Sequence, residues 1–255
     1  MDTQFDHLVE EGSSVPVEGW DFSWFEGRAT EERPPWGYAA MVVGRVPHAP
    51  AVLDIQTGGG EVFAWILGRA PQRSSRLAAT ESWTPNVRVA RSNLRPFGVE
   101  VTEVADDADL PFDDASFELL CSRHPVVTVW PEVARVLRTG GTHLSQQVGP
   151  GSNRELTDFM MGTRPVSQDR SPKRAARAAE EAGLAVIDLR RKSLRTVFYD
   201  VGAVVYFLRK VIWTVPGFTA DAYRARLASM HELIRREGSF VSHSERFLIE
   251  ARKYA

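Results

Sequence analysis

The chain has 255 residues with 31 basic and 33 acidic side chains, a formal net charge of −2 and a pI of about 6.3. That balance excludes the basic footprint expected of a duplex nucleic-acid partner, while a charged fraction of 25% and an apolar fraction of 43% allow a real buried core. The single cysteine, Cys121, excludes an internal disulfide, and its apolar surroundings read as a small buried hydrophobe.

Residues 1–50 hold Trp20, Trp24, Trp36 and a Pro34-Pro35 pair. They predict a partly helical aromatic arm ahead of a main domain at 51–255. The first seven residues lack the basic and apolar regions of a secretory leader. The longest apolar run, 201–208, is too short to span a bilayer. A cytoplasmic protein with no membrane partner is expected.

Strands are predicted at 51–56, 76–80, 99–104, 117–122 and 142–148, and their near-continuous apolar content suits a parallel sheet covered on both faces. Helices alternate with them. Thr84 reads as an N-cap before Pro85, with Val87, Ala90, Leu94 and Phe97 at helical spacing and Gly98 as the stop. A second helix is expected from Pro131 to Gly140, and an alanine-rich one from Ser171-Pro172 to Gly183. A sixth strand is predicted at 185–194 and a seventh at 247–251. Between them, Asp200 should cap a helix running to about Val211. Tyr223, Leu227, Met230 and Ile234 mark another helix. Residues 199–240 are therefore an insertion, serving either as packing or as a cap over a binding site.

Residues 51–61 read Ala-Val-Leu-Asp-Ile-Gln-Thr-Gly-Gly-Gly-Glu. A strand ends in Asp54, a glycine turn follows and a helix begins, an arrangement that sets backbone N–H groups beside a polar ligand. Gly58 and Gly60 let the backbone approach that ligand. Glu81 ends the next strand, where a carboxylate can accept two ribose hydroxyls. The dinucleotide fingerprint G-x-G-x-x-G fails, because Gly60 is followed by Glu61, Val62 and Phe63.

Further along come Leu110-Pro-Phe, Ser116-Phe117 and Arg135-Val-Leu-Arg-Thr-Gly-Gly141. In this order, from about Val52 to Val148, the blocks resemble the class I S-adenosylmethionine-dependent methyltransferases. Glu32-Arg-Pro-Pro-Trp-Gly-Tyr38, Gln146-Gln-Val-Gly149, Asp200-Val-Gly-Ala203 and Phe247-Leu-Ile-Glu-Ala251 are similar to a bacterial subgroup of unassigned substrate.

The resemblance implies an α/β, Rossmann-like fold. Its seven-stranded sheet would be mostly parallel with the last strand antiparallel, and a helical insertion would lie between strands 6 and 7. It also implies S-adenosyl-L-methionine as cofactor. Asp54, Gly58 and Gly60 would surround its amino-acid part and Glu81 its ribose. Asp106 or Asp107 would accept from the adenine amino group, with Trp83 flanking the ring. Gln56 stands where the family's first turn glycine belongs. It either borders the cofactor pocket or fills part of it.

Methyl transfer is an in-line displacement in which positioning alone can supply about 7–11 kcal/mol. A base is needed only for an acceptor that holds its proton. The reactive crevice of such a sheet lies beyond the carboxyl ends of its strands, where Ser122-Arg123-His124-Pro125 falls. His124 is the candidate base or orienting partner, with a loop anchor as the plain alternative. As a base of ordinary pKa it predicts a rate that falls as pH drops through about 6.5. Arg123 could hold the cofactor carboxylate or an acidic substrate. His143 reads as structural, and one of Gln146 and Gln147 should face the crevice.

Trp36 and Tyr38 from the arm, and Tyr199, Asp200 and Trp213 from the insertion, are candidate walls of an acceptor pocket. The expected acceptor is a small organic molecule methylated on oxygen or nitrogen. A silent cofactor-binding module and an RNA methyltransferase are the alternatives, the latter on the basic clusters at Lys173-Arg174, Arg177 and 190–192. The sequence leaves the oligomeric state open.

Overall fold

The computed structural model describes residues 3–72 and 74–254. The arm folds as α1 (Thr3–Ser14), a 3-10 turn at Ser23–Phe25, β1 (Ala29–Glu31) and α2 (Tyr38–Arg45). The alternating core follows as β2 (Ala51–Asp54), α3 (Glu61–Leu67), β3 (Arg76–Glu81), α4 (Thr84–Leu94), β4 (Glu100–Glu103), β5 (Phe117–Arg123), α5 (Trp130–Val136) and β6 (Leu137–Val148). Then come α6 (Arg154–Met161), α7 (Pro172–Glu181), β7 (Leu184–Phe198), α8 (Val201–Lys210), α9 (Arg224–Glu237) and β8 (Phe240–Lys253). No helix among the described residues is long and apolar enough to cross a membrane.

All eight strands join one sheet in the order β1-β7-β8-β6-β5-β2-β3-β4. Strands β2 to β6 pair in parallel. The last strand, β8, is antiparallel to both β6 and β7, as expected. The sheet has one strand more than the seven expected. Ala29–Glu31 adds to its edge antiparallel to β7, with Ala29 opposite Phe198 and Glu31 opposite Thr196. Three residues carry no periodic signal of their own, so pairing with β7 makes this a strand.

Two other expectations change. The helix begun near Pro131 stops at Val136 instead of Gly140. Leu137 already pairs with Phe117, and the register then slips so that Leu119 faces Thr142. Arg138–Gly141 is absorbed by that irregularity. Thr84 is also not the cap of α4. That position is Trp83, and the Thr84 hydroxyl donates to Glu103 Oε1 at 2.6 Å.

Neighbouring strand residues face opposite sides of the sheet. Val52 packs with Val42, Phe63, Val87 and Leu94 on one face. Leu53 packs with Phe117, Leu120, Trp130 and Val136 on the other. Each such fully buried side chain contributes about 1.5–3 kcal/mol.

The insertion forms a third core. Helix α8 packs between α1 and α9 through Val204, Leu208, Phe5, Val9, Leu227 and Met230. Asp200 starts α8 as predicted, accepting from Ala203 N–H at 2.8 Å. Helices α1 and α8 touch at Gly12 and Gly202, where a side chain on either would strike backbone. The insertion thus serves as packing, and it also brings Phe207 and Trp213 to the crevice.

Candidate active site

The carboxyl ends of β2, β3 and β5 deliver Asp54, Glu81 and Arg123 to one edge of the sheet. Asp54 is buried and accepts from Thr57 Oγ1 at 2.6 Å. Burial raises its pKa to about 7; the bonds from Thr57 and Cys121 oppose that rise, and the charge of Glu81 adds to it. Glu81 accepts N–H bonds from Gly58 at 2.8 Å and Trp83 at 3.1 Å. Burial nevertheless raises its pKa as well. Two carboxylates are therefore held close to a glycine turn, each short of positive partners.

Gln56 occupies the crevice itself. Its backbone is left-handed, with φ of 56°, a conformation costing on the order of 1 kcal/mol or more for a residue other than glycine. Its side chain spans two loops. Oε1 accepts from Val126 N–H at 2.6 Å, and Nε2 donates to the carbonyls of Val127 at 2.7 Å and Asp106 at 3.4 Å. Trp20 of the arm closes the same region from the other side. Its backbone N–H donates to Glu61 Oε1 at 3.0 Å, and Gly19 N–H donates to Asn86 Oδ1 at 2.7 Å. A side chain at Gly58 would collide with the Trp20 indole. The glycine turn is a cradle, and Trp20 lies in it.

Two small chambers remain, each of about 20 Å³, room for roughly one water. One lies between Gln56, Asp106, Val127 and Glu132. The other lies between Trp20, Tyr38, Asp54, Gln56, Arg123 and His124. Beyond Arg123 and His124 opens a larger cavity of about 340 Å³, walled by Trp20, Phe22, Phe207 and Trp213. That volume lies in the range of small-molecule sites.

His124 sits where the second chamber meets this cavity, with a left-handed φ of 59°. The buried Trp36 indole donates to Gln146 Oε1 at 2.8 Å. An indole N–H can only donate, so the amide oxygen must face Trp36 and the amide nitrogen must face His124. Gln146 Nε2 lies 3.0 Å from His124 Nε2. The imidazole therefore accepts at Nε2 and carries its proton on Nδ1. Protonating Nε2 would set two donors against each other. Burial, with Arg123 and Arg246 nearby, pushes the His124 pKa well below its ordinary value. His124 is a neutral imidazole whose Nε2 is engaged, a poor free base and a ready N–H donor.

Residues 53–145 match the family described as a methyltransferase domain. The chain has the class I methyltransferase fold and carries that family's domain. Among solved structures, a candidate methyltransferase from Bacillus halodurans is similar over 85% of this chain and 99% of its own, at 18% identity and a TM-score of 0.58. The YcgJ protein of Bacillus subtilis aligns over 86% of this chain and 98% of its own, at 18% identity and the same score. The [4+2]-cyclase SpnF aligns over 99% of this chain and 93% of its own, at 16% identity and 0.52. A reaction of a different class therefore occurs on this fold. The sequence matches none of the curated proteins.

Several expected site residues do converge on this crevice. Asp54, Gln56 and Asp106 line the small chambers, and Glu81 holds the glycine turn. Arg123, His124, Gln146 and Trp213 line the cavity. Others do not converge. Gly60 is a packing glycine, because a Cβ there would press on Leu94 of α4. Asp107 is exposed outside both chambers, and Trp83 is 44% exposed at the start of α4.

Tyr38 is buried against Cys121 and Asp54 and walls the inner chamber instead of the acceptor cavity. Trp36 reaches the site only through Gln146. Tyr199 is exposed, and Asp200 is held by its cap bond and by Arg28 at 3.2 Å, so neither lines the cavity. Trp20, Phe22, Phe207 and Arg246 escaped sequence reasoning. Their aromatic and basic character was visible, but nothing local distinguished them from core or surface.

Proposed function

We propose that this chain transfers a methyl group from S-adenosylmethionine to an oxygen or nitrogen of a small organic molecule. The reading rests above all on one juxtaposition. The chamber that carries Asp54, beside the glycine turn held by Glu81, shares its Arg123–His124 wall with an aromatic cavity of about 340 Å³, and Gln56 separates it from the chamber of Asp106. The donor set fits the cofactor. Asp54 suits its ammonium, Glu81 its ribose hydroxyls and Asp106 its adenine amino group. The cradle at Gly58 would receive it once Trp20 and Gln56 swing aside. When bound, the cofactor supplies an electrophilic methyl.

The protein's own work is positioning. Trp213 and Phe207 hold the acceptor body, and His124, kept neutral by the Trp36–Gln146 relay, orients the acceptor through its N–H. Trp20 and Gln56 then exclude water from the crevice. An acceptor already nucleophilic at neutral pH suits this site, because the imidazole in the wall is engaged at Nε2 and is not free to act as a base.

The test is calorimetric titration with S-adenosylhomocysteine, followed by tritiated-methyl transfer to a panel of small acceptors that are nucleophilic at neutral pH: nitrophenols, anilines and imidazoles. Micromolar-range binding, roughly −8 kcal/mol at 1 μM, together with transfer is expected. Absence of binding at millimolar ligand would overturn the reading. The three hydrogen bonds of Gln56 across the crevice favour a second reading, a domain that is closed to cofactor and catalytically silent. Binding without transfer to any acceptor, or binding gained only when Gln56 is removed, would support it.

A further inference from the structure

Arg123 is the last residue of β5 and opposes Gln146 of β6. Its side chain is exposed and lines the 340 Å³ cavity. Among the described residues its side chain has no hydrogen-bond or ion-pair partner. An exposed guanidinium keeps its water until a ligand displaces it, and an anion in the cavity would then take up its hydrogen bonds as a charge-assisted pair; the protein around Arg123 already lowers its pKa by desolvation. Its neighbour Arg246 differs. That guanidinium holds Glu31 at 2.8 Å and Ser152 Oγ at 3.1 Å. Arg123 turns five donors to the cavity that no described protein group receives.

The charges lining the cavity set the size of the missing partner. Arg33, Arg123 and Arg246 face Glu31 and Glu32, leaving one net positive charge. A monoanion balances it, whereas a phosphate monoester would bring a second charge beside the two glutamates. The other walls are the rings of Trp20, Phe22, Phe207 and Trp213, suited to a flat apolar body.

We propose that the methyl acceptor is an aromatic or apolar carboxylic acid whose carboxylate pairs with Arg123, its body lying against Trp213 and Phe207. This deepens the methyltransferase reading and rests on it for the word acceptor. The anion site itself stands on the cavity alone. It also assigns Arg123 to the acceptor and not to the carboxylate of the cofactor.

Ligand-observed NMR with benzoate and benzamide on the unliganded protein tests the site. Benzoate should bind, and benzamide, equal in shape and uncharged, should bind about tenfold more weakly or not at all, the scale of a hydrogen bond to a charged group. Arg123→Met should erase the preference, and Arg123→Lys should keep part of it. Equal binding of the two probes, binding of neither, or a preference unchanged in Arg123→Met would overturn the proposal.

Calorimetry with S-adenosylhomocysteine and with methylthioadenosine, which lacks the amino-acid tail, separates the two roles of Arg123. Unchanged affinity of both for Arg123→Met is expected. Loss confined to S-adenosylhomocysteine would return Arg123 to the cofactor and overturn the proposal. Failure of the wild-type protein to bind either adenosyl compound, with the benzoate preference intact, would sink the methyltransferase reading and leave the anion site standing.

Discussion

Asp54→Asn should stabilise this protein more at high pH than at low pH. The folded-state pKa of Asp54 is about 7 against an ordinary value of 3.8. A carboxyl whose pKa rises on folding binds its proton more tightly in the native state. Its contribution to stability therefore falls as pH rises from about 4 to about 7 and is flat above that. The full penalty at high pH is about 4 kcal/mol, three pKa units at 1.36 kcal/mol each. Asparagine keeps an oxygen for the Thr57 hydroxyl and carries no charge to desolvate. Its new N–H₂ group would face the Cys121 thiol, a weak acceptor, at a cost of about 1–3 kcal/mol.

That cost does not vary with pH, so the assay is a difference of differences. Urea unfolding of both proteins at pH 5 and pH 8.5 should give a variant-minus-wild-type stability that grows by about 2.7 kcal/mol between the two conditions, two pH units at 1.36 each. Burial of an unpaired carboxylate is the whole basis of this figure. A difference constant within 0.5 kcal/mol, about the scale of a surface change, would refute it and place Asp54 in contact with a charge or with solvent.

Gln56→Gly removes a left-handed non-glycine residue and three bonds across the crevice. If closure holds the free protein shut by about 2 kcal/mol, S-adenosylhomocysteine should bind the variant more than about tenfold tighter by calorimetry. Unchanged affinity would show that the side chain moves aside freely. Glu81→Ala should weaken the same binding by about 1.5–3 kcal/mol, and an unchanged Kd would remove Glu81 from the site. Gln146→Glu keeps an acceptor for Trp36 and turns a carboxylate toward His124 Nε2. The imidazole pKa should rise, which NMR titration would register as a charged ring near neutrality in the variant alone. At saturating cofactor, where Asp54 is held by the ammonium, the wild-type rate should stay level as pH falls through about 6.5, because His124 is already neutral there. An acid limb at that pH would mean that the relay does not control the ring.

Much of this was legible in the sequence because it is local. Five apolar runs, each ending near a turn, dictate parallel strands covered on both faces, and the Asp54–Glu61 and Glu81 spacing marks the edge of the sheet where the crevice lies. Asp200 followed by an apolar helical run fixes α8, since a side-chain cap needs only residues three positions away. Tertiary structure decided the rest, for reasons of distance. Ala29–Glu31 becomes a strand only because β7, more than 160 residues later, offers an unpaired edge. Leu137 leaves its helix because Phe117 supplies a ladder partner that local propensity does not contain. The tautomer of His124 depends on an indole 88 residues earlier, acting through an amide between them. Trp20 and Arg123 look alike as sequence, each one residue among apolar and charged neighbours. Only folding sets the first in a glycine cradle and leaves the second without a partner in an aromatic cavity, because cavities and unpaired charges belong to the packing of distant segments.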